Sequence, residues 1–189
     1  NNKHARVLVV ACEVNTLIFR GPEEKDFLSL AAQASFGDGA AALIVGADPI
    51  PDVEKPIFEM MSAAQVTVPD SQKAVGGELK QIGLTFHFVH QLPALIAANL
   101  EKCLLEAFEP LGITDWNKVF WVSHPGNWGI MDAIEAKLGL EQGKLRSSRH
   151  VMSEYGNMMS ATVLFIMDDV RKRAAAGRLA TTGDGLEWG

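Results

Sequence analysis

Two short runs, Arg6-Val7-Leu8-Val9-Val10-Ala11 and Ala40-Ala41-Ala42-Leu43-Ile44-Val45-Gly46, are apolar at nearly every position. A strand with one wet face alternates apolar and polar residues, so an uninterrupted apolar run predicts a strand covered on both faces. Covered strands need helices on either side, and the chain supplies them. Leu28–Phe36 carries a short helical pattern. Pro93 opens a longer helix to about Phe108, with Leu95, Ile96, Leu100, Leu104 and Phe108 on one face. Ile130–Leu138 reads as a helix ended by Gly139. Met158–Ala175 reads as another, with Gly177 in the position favoured for a stop. Further strands are predicted at Ile57–Thr67 (one or a pair), Leu84–Phe88 and Val119–Val122, with a weaker strand-like step at Val151-Met152. Phe36-Gly37-Asp38-Gly39 is a turn and Pro69–Gly77 a polar loop. Strands and helices alternate throughout, so the fold class is α/β. Asp48-Pro49-Ile50-Pro51-Asp52 is the best internal boundary, dividing residues 1–50 from 55–189.

Composition narrows the function classes. The 189 residues suffice for a sizeable core, and no apolar run reaches the roughly 18 residues of a membrane span. The opening Asn1-Asn2-Lys3-His4 is polar and unlike a signal peptide, which points to a cytoplasmic protein. A net charge of −6, from 17 basic and 23 acidic residues, argues against nucleic acid as partner. Cys12 and Cys103 lack metal-type spacing and read as reduced thiols; no metal site is expected.

His124 lies before Pro125-Gly126 at the end of a predicted strand, where open α/β sheets place their ligands. Alone, it can equally be a histidine that holds the turn. Asn157 follows Gly156 and precedes a helix; it can be an N-cap or a side-chain donor aimed at a ligand. Taken together, a His and an Asn presented at two element ends can polarise one thioester carbonyl from two sides. His4, His87, His90 and His150 have no comparable context.

The motif order carries a resemblance. Ala5–Val10, Phe19-Arg20-Gly21-Pro22, Phe36–Ala42, Gly83-Leu84-Thr85-Phe86-His87, Glu106-Ala107-Phe108 with Pro110–Ile113, His124-Pro125-Gly126, Tyr155-Gly156-Asn157-Met158 and Thr181–Gly189 follow one another as in the C-terminal half of the type III polyketide synthases. The chain resembles this chalcone synthase family of the thiolase superfamily over nearly its whole length. The resemblance implies a thiolase-like fold, layered α-β-α-β-α. Residues 1–50 would give closing strands of the first half and residues 55–189 a second half truncated before its last strands. It also implies a Cys-His-Asn triad with His124 and Asn157 as two members. The activity implied is decarboxylative Claisen condensation of malonyl-CoA onto a CoA-linked starter, of phenylpropanoid type, in plant secondary metabolism such as flavonoid biosynthesis. No cofactor is needed beyond the coenzyme A thioesters, which are substrates, and the enzyme would be a homodimer.

Further residues match family positions. Phe36 and Phe86 match two gatekeeper phenylalanines, and Gly126 the backbone that meets the coenzyme A arm. Gly77 matches a glycine that leaves room for the starter. Asn15 and Ile18 stand where many members have threonine, and Met159 where they have serine. Loss of that serine removes a hydroxyl from a water network with Glu13. A larger, drier pocket wall favours a short or non-chalcone polyketide. The family's nucleophilic cysteine matches neither Cys12, at a strand end, nor Cys103, inside an amphipathic helix. The expectation is therefore that the cysteine lies upstream in a missing N-terminal half and that the 189 residues alone are inactive. Two alternatives stand beside this reading. One is a related ketoacyl synthase loading from a carrier protein. The other is a catalytically dead homologue that serves as a binding or regulatory subunit.

Overall fold

The structure, a computed structural model, describes residues 2–21, 27–81 and 83–189. Helices and strands are mixed, in the order β1 (Arg6–Glu13), α1 (Phe27–Ser35), β2 (Gly39–Gly46), β3 (Val75–Lys80), β4 (Gly83–Phe88), α2 (Leu92–Phe108), α3 (Trp128–Leu138), α4 (Arg146–Tyr155) and α5 (Thr162–Ala176). Short 3-10 turns at Asn15–Ile18 and Met159–Ala161 prove important for the site.

The helices form where apolar residues recur each turn. Along α2, Leu92, Ile96, Leu100, Leu104 and Phe108 pack on a core of Trp116, Val119, Trp121, Ile130, Met131, Ile134, Leu145 and Met152. Asn127 starts α3 by accepting the Ile130 N–H on its Oδ1 at 3.0 Å, and Gly139 ends it at φ 59°. A second core joins Val151, Met158, Ala161, Ile166 and Val170, with Ala11 of β1 and Phe120, Val122 and Phe165 packed against it. Helix α5 stops at Gly177 as expected but starts at Thr162 and not at Met158. Gly177 caps it in a right-handed conformation (φ −77°), and Arg178 takes the left-handed position at φ 52°.

The strands depart further. β1 pairs antiparallel with β2 from Arg6↔Gly46 to Glu13↔Gly39, and β3 with β4 from Val75↔Phe88 to Lys80↔Gly83. Among the described residues each strand has one neighbour, so these are two separate pairs. The expected double coverage of β1 and β2 is absent. Leu8, Val10 and Ile44 lie 64%, 63% and 68% exposed on one face. Val119–Val122 joins no ladder among the described residues, although Val119 is extended; the Phe120 N–H donates to the Trp188 carbonyl at 2.8 Å. Residues 57–67 join no strand ladder among the described residues; the Ile57 carbonyl instead accepts the Thr182 hydroxyl at 3.0 Å. Residues 75–77, expected in a loop, belong to β3. Val151 and Met152 lie within α4, so Asn157 follows a helix and not a strand. Pro22 of the Phe19–Pro22 stretch and Asn1 lie outside the described residues.

The 48–54 break folds back on β1. Arg6 grips Glu54 with two hydrogen bonds of 2.6 Å, and the Ile50 N–H donates to the same carboxylate at 2.7 Å. The Arg6 guanidinium lowers the Glu54 pKa to about 2.

Candidate active site

Two glycines let three segments meet. Gly156, at φ 74°, turns the chain out of α4, and the next residue bridges in parallel to Phe36. The Asn157 N–H donates to the Ser35 carbonyl at 2.7 Å, and the Gly37 N–H to the Asn157 carbonyl at 3.1 Å. A Cβ at Gly37 would sit 1.9 Å from the Tyr155 carbonyl oxygen, and one at Gly156 2.9 Å from the Ser35 carbonyl oxygen. The backbone approach that brings Asn157 beside Phe36 thus excludes side chains at both positions.

The Asn157 side chain is buried and held at both ends. Its Nδ2 donates to the Gly126 carbonyl at 3.0 Å, and its Oδ1 accepts the Met159 N–H at 2.9 Å. These partners fix which end of the amide is the donor, and a primary amide has a second N–H to offer. The Gly126 bond ties Asn157 to the turn that carries His124. That turn rests on buried Pro125 and on Gly126 at φ 61°, where a Cβ would come within 2.7 Å of Ile130 Cδ1. The His124 side chain is exposed on one side, while the protein packed around the other side lowers its pKa from the ordinary 6.5. At neutral pH the imidazole is therefore neutral, with one N–H donor.

A wall builds out from Phe36. Its ring lies 5.5 Å from that of Phe86, tilted by 33°. Gly77 faces Phe86 across the β3–β4 pair, and a Cβ there would stand 3.4 Å from the Phe86 ring. Ile18, 5% exposed, borders two hollows. A small one of about 30 Å³ is shared with Arg20, Ala32, Leu84 and Phe86, and an open one of about 280 Å³ with Asn15, Gln33, Phe36 and Asp38. The smaller holds no more than a water or two, so these residues form a wall and not a closed chamber. Asn15 Nδ2 donates to the Gly37 carbonyl at 2.5 Å.

Several contacts around the site gave no sign in the sequence. Asp38 Oδ1 accepts the N–H groups of Asn15 and Thr16 at 2.5 and 3.3 Å, capping the 15–18 turn from another part of the chain. Arg20 Nη2 donates to the Leu84 carbonyl at 2.7 Å, and the Arg20 N–H to Gln33 Oε1 at 2.9 Å. Glu13 Oε1 accepts the Ser160 hydroxyl at 2.6 Å and the Ser160 N–H at 3.3 Å. Met159, expected only as pocket wall, holds a left-handed backbone at φ 49°.

Cys12 is exposed on β1 and Cys103 half-buried in α2. Among the described residues neither thiol hydrogen-bonds to His124 or Asn157, and no three His, Cys, Asp or Glu side chains converge as metal ligands. No helix there is long and apolar enough to cross a membrane.

Comparison with known proteins gives two family matches. Residues 59–189 match the model described as "Chalcone and stilbene synthases, C-terminal domain", and residues 1–49 its N-terminal counterpart. Over all 189 residues the chain is 61% identical to curcumin synthase 1 of Curcuma longa. That match covers 100% of this chain and 49% of the relative, so the chain spans about half the length of the curated relative it matches.

Proposed function

The chain belongs to the chalcone and stilbene synthase family of type III polyketide synthases, and on that premise we propose that it carries two of the three catalytic groups of a decarboxylative Claisen condensation. The reading rests on Asn157. Its amide is locked between Gly126 and Met159, beside the turn that presents His124.

In the proposed reaction malonyl-CoA loses carbon dioxide. The carbon–carbon bond to the free carboxylate breaks, and its electron pair moves onto the thioester carbonyl as an enolate. The second Asn157 N–H and the N–H of neutral His124 donate to that oxygen. Fixed donors of this kind lower such a barrier by roughly 3 kcal/mol each. The enolate carbon then attacks an acyl thioester held on a cysteine, and the thiolate leaves. We place that cysteine outside these 189 residues, because among the described residues Cys12 and Cys103 make no hydrogen bond to either donor. Phe36 and Phe86 would screen the enolate from water, Gly126 would lie against the coenzyme A arm, and no metal or redox group takes part.

Ile18 on the wall and Met159 beside Asn157, where many members carry smaller polar residues, favour a short or non-chalcone product from a phenylpropanoid-CoA starter. The 61% identity to a protein named curcumin synthase supports the same preference. The strands left with one neighbour each fit a layered, thiolase-like fold completed by further chain, in a cytoplasmic homodimer.

The test uses the longest natural chain that contains this sequence, with malonyl-CoA and p-coumaroyl-CoA. Asn157→Ala and His124→Ala should each lower the decarboxylation kcat about a hundredfold or more. Parental rates in both variants overturn the assignment, and chalcone as the main product overturns the product preference.

A further inference from the structure

We infer that Ser160 is a positioning residue for Asn157, acting through a clasp on Glu13; this rests on the proposed role of Asn157. Glu13 is the last residue of β1, 147 positions before Ser160 in the chain. One carboxylate oxygen takes both the hydroxyl and the backbone N–H of Ser160, so side chain and main chain are gripped at the same point. Immediately before it, Met159 is held at φ 49°, a conformation that a bulky L-residue adopts only when its surroundings impose it. That same backbone aims the Met159 N–H at Asn157 Oδ1. The chain of consequence is short. Glu13 grips Ser160, the grip holds Met159 left-handed, and the Met159 N–H fixes the Asn157 oxygen. The Asn157 Nδ2 is thereby turned to the Gly126 side. Without the clasp Met159 is free to relax toward ordinary backbone angles, and the amide loses the partner that sets its orientation.

The position is informative because Met159 and Ser160 are adjacent. A hydroxyl expected from the family at residue 159 is missing, while the one at 160 meets the same carboxylate directly. Glu13 is then an anchor and not a carrier of protons.

The experiment again uses the longest natural chain with malonyl-CoA. Ser160→Ala and Glu13→Ala cut the clasp from opposite sides, so either one serves if the other fails to fold. Each should lower the decarboxylation kcat about tenfold, the size of effect that slight misplacement of a catalytic group produces. The double variant should be no slower than the singles, because the two residues act as one unit. Ser160→Thr, which keeps the hydroxyl, should recover most of the rate, and Ser160→Ala should leave KM within about twofold. The midpoints of the kcat–pH profile should stay in place in both single variants. Loss of one limb in Glu13→Ala alone shows proton transfer and overturns the anchoring role. Parental kcat in Ser160→Ala beside a disabled Asn157→Ala overturns the clasp and leaves the catalytic reading standing. Parental kcat in Asn157→Ala overturns that reading and the positioning role with it.

Discussion

His124 illustrates how one residue's charge state depends on what surrounds it. Partial burial lowers its pKa from 6.5. Between that lowered value and 6.5 the unfolded chain binds more protons than the folded one. Stability therefore rises with pH across this window and falls as acid is added through it. A thiolate alongside would act in the opposite direction, since an opposite charge favours the imidazolium. With the thiols of the longest natural chain blocked by alkylation, the His124 imidazole should titrate below 6.5 in an NMR titration, and leaving the thiols free should move it upward. His124→Gln should flatten the acid-side pH dependence of stability. A blocked-protein midpoint at or above 6.5 would show that burial does not govern this group. Ser160 and Glu13 make the complementary point: the side chain that orients a donor can be an unremarkable serine whose partner lies 147 residues away.

At the junction of α1, β2 and α4, the elements meet backbone to backbone, which makes the site sensitive to single atoms. A Cβ at Gly37 would lie 1.9 Å from the Tyr155 carbonyl oxygen, and rigid main chain cannot yield as a side-chain tip can. Gly37→Ala should cost roughly 3 kcal/mol, near the upper end for overpacking, and should separate Phe36 from Asn157. Urea unfolding of the longest natural chain measures the first effect and decarboxylation kcat the second. A variant with unchanged midpoint and rate would mean that the segments do not meet this closely. The same junction shows what the sequence reveals and conceals. Helices α2 and α3 are legible because Ile96, Leu100, Leu104 and Phe108 repeat every fourth residue and because Gly139 marks the end of α3, although that helix begins at Trp128, two residues before the expected Ile130. Helix α4 is not. Its buried face consists of Ser147, Ser148, Val151 and Met152, and two of those four letters are polar. Ser148 tolerates burial by donating to the Ser123 carbonyl at 2.7 Å. With that stripe hidden, Val151-Met152 looks like an isolated strand. His124 and Asn157 stand out through their Pro and Gly neighbours. Asp38, Arg20 and Ser160 do not, because each acts through a partner distant in the chain.

The arrangement of the whole molecule follows from where its apolar surface goes. Helices α2 to α5 bury theirs in two cores, but the β1–β2 pair leaves Leu8, Val10 and Ile44 on one open face. Both strands also keep an outer edge unpaired among the described residues. A contiguous aliphatic face beside free strand edges is a template for association. A net charge of −6 opposes this only weakly, since repulsion at physiological salt is screened within about 8 Å while the apolar contact is direct. Expressed alone, the 189-residue chain should self-associate and bind a dye that reports exposed apolar surface. Placing Lys at both Leu8 and Ile44, which pair directly across the strands, should lower dye binding and shift the chain toward monomer in sedimentation. The helical signal should persist, because neither residue belongs to the two cores. A monomeric parent chain at tens of micromolar (about that concentration suffices for edge-driven association) would count against this account. So would a double Lys variant that associates as strongly as the parent, because the driving surface would then lie elsewhere.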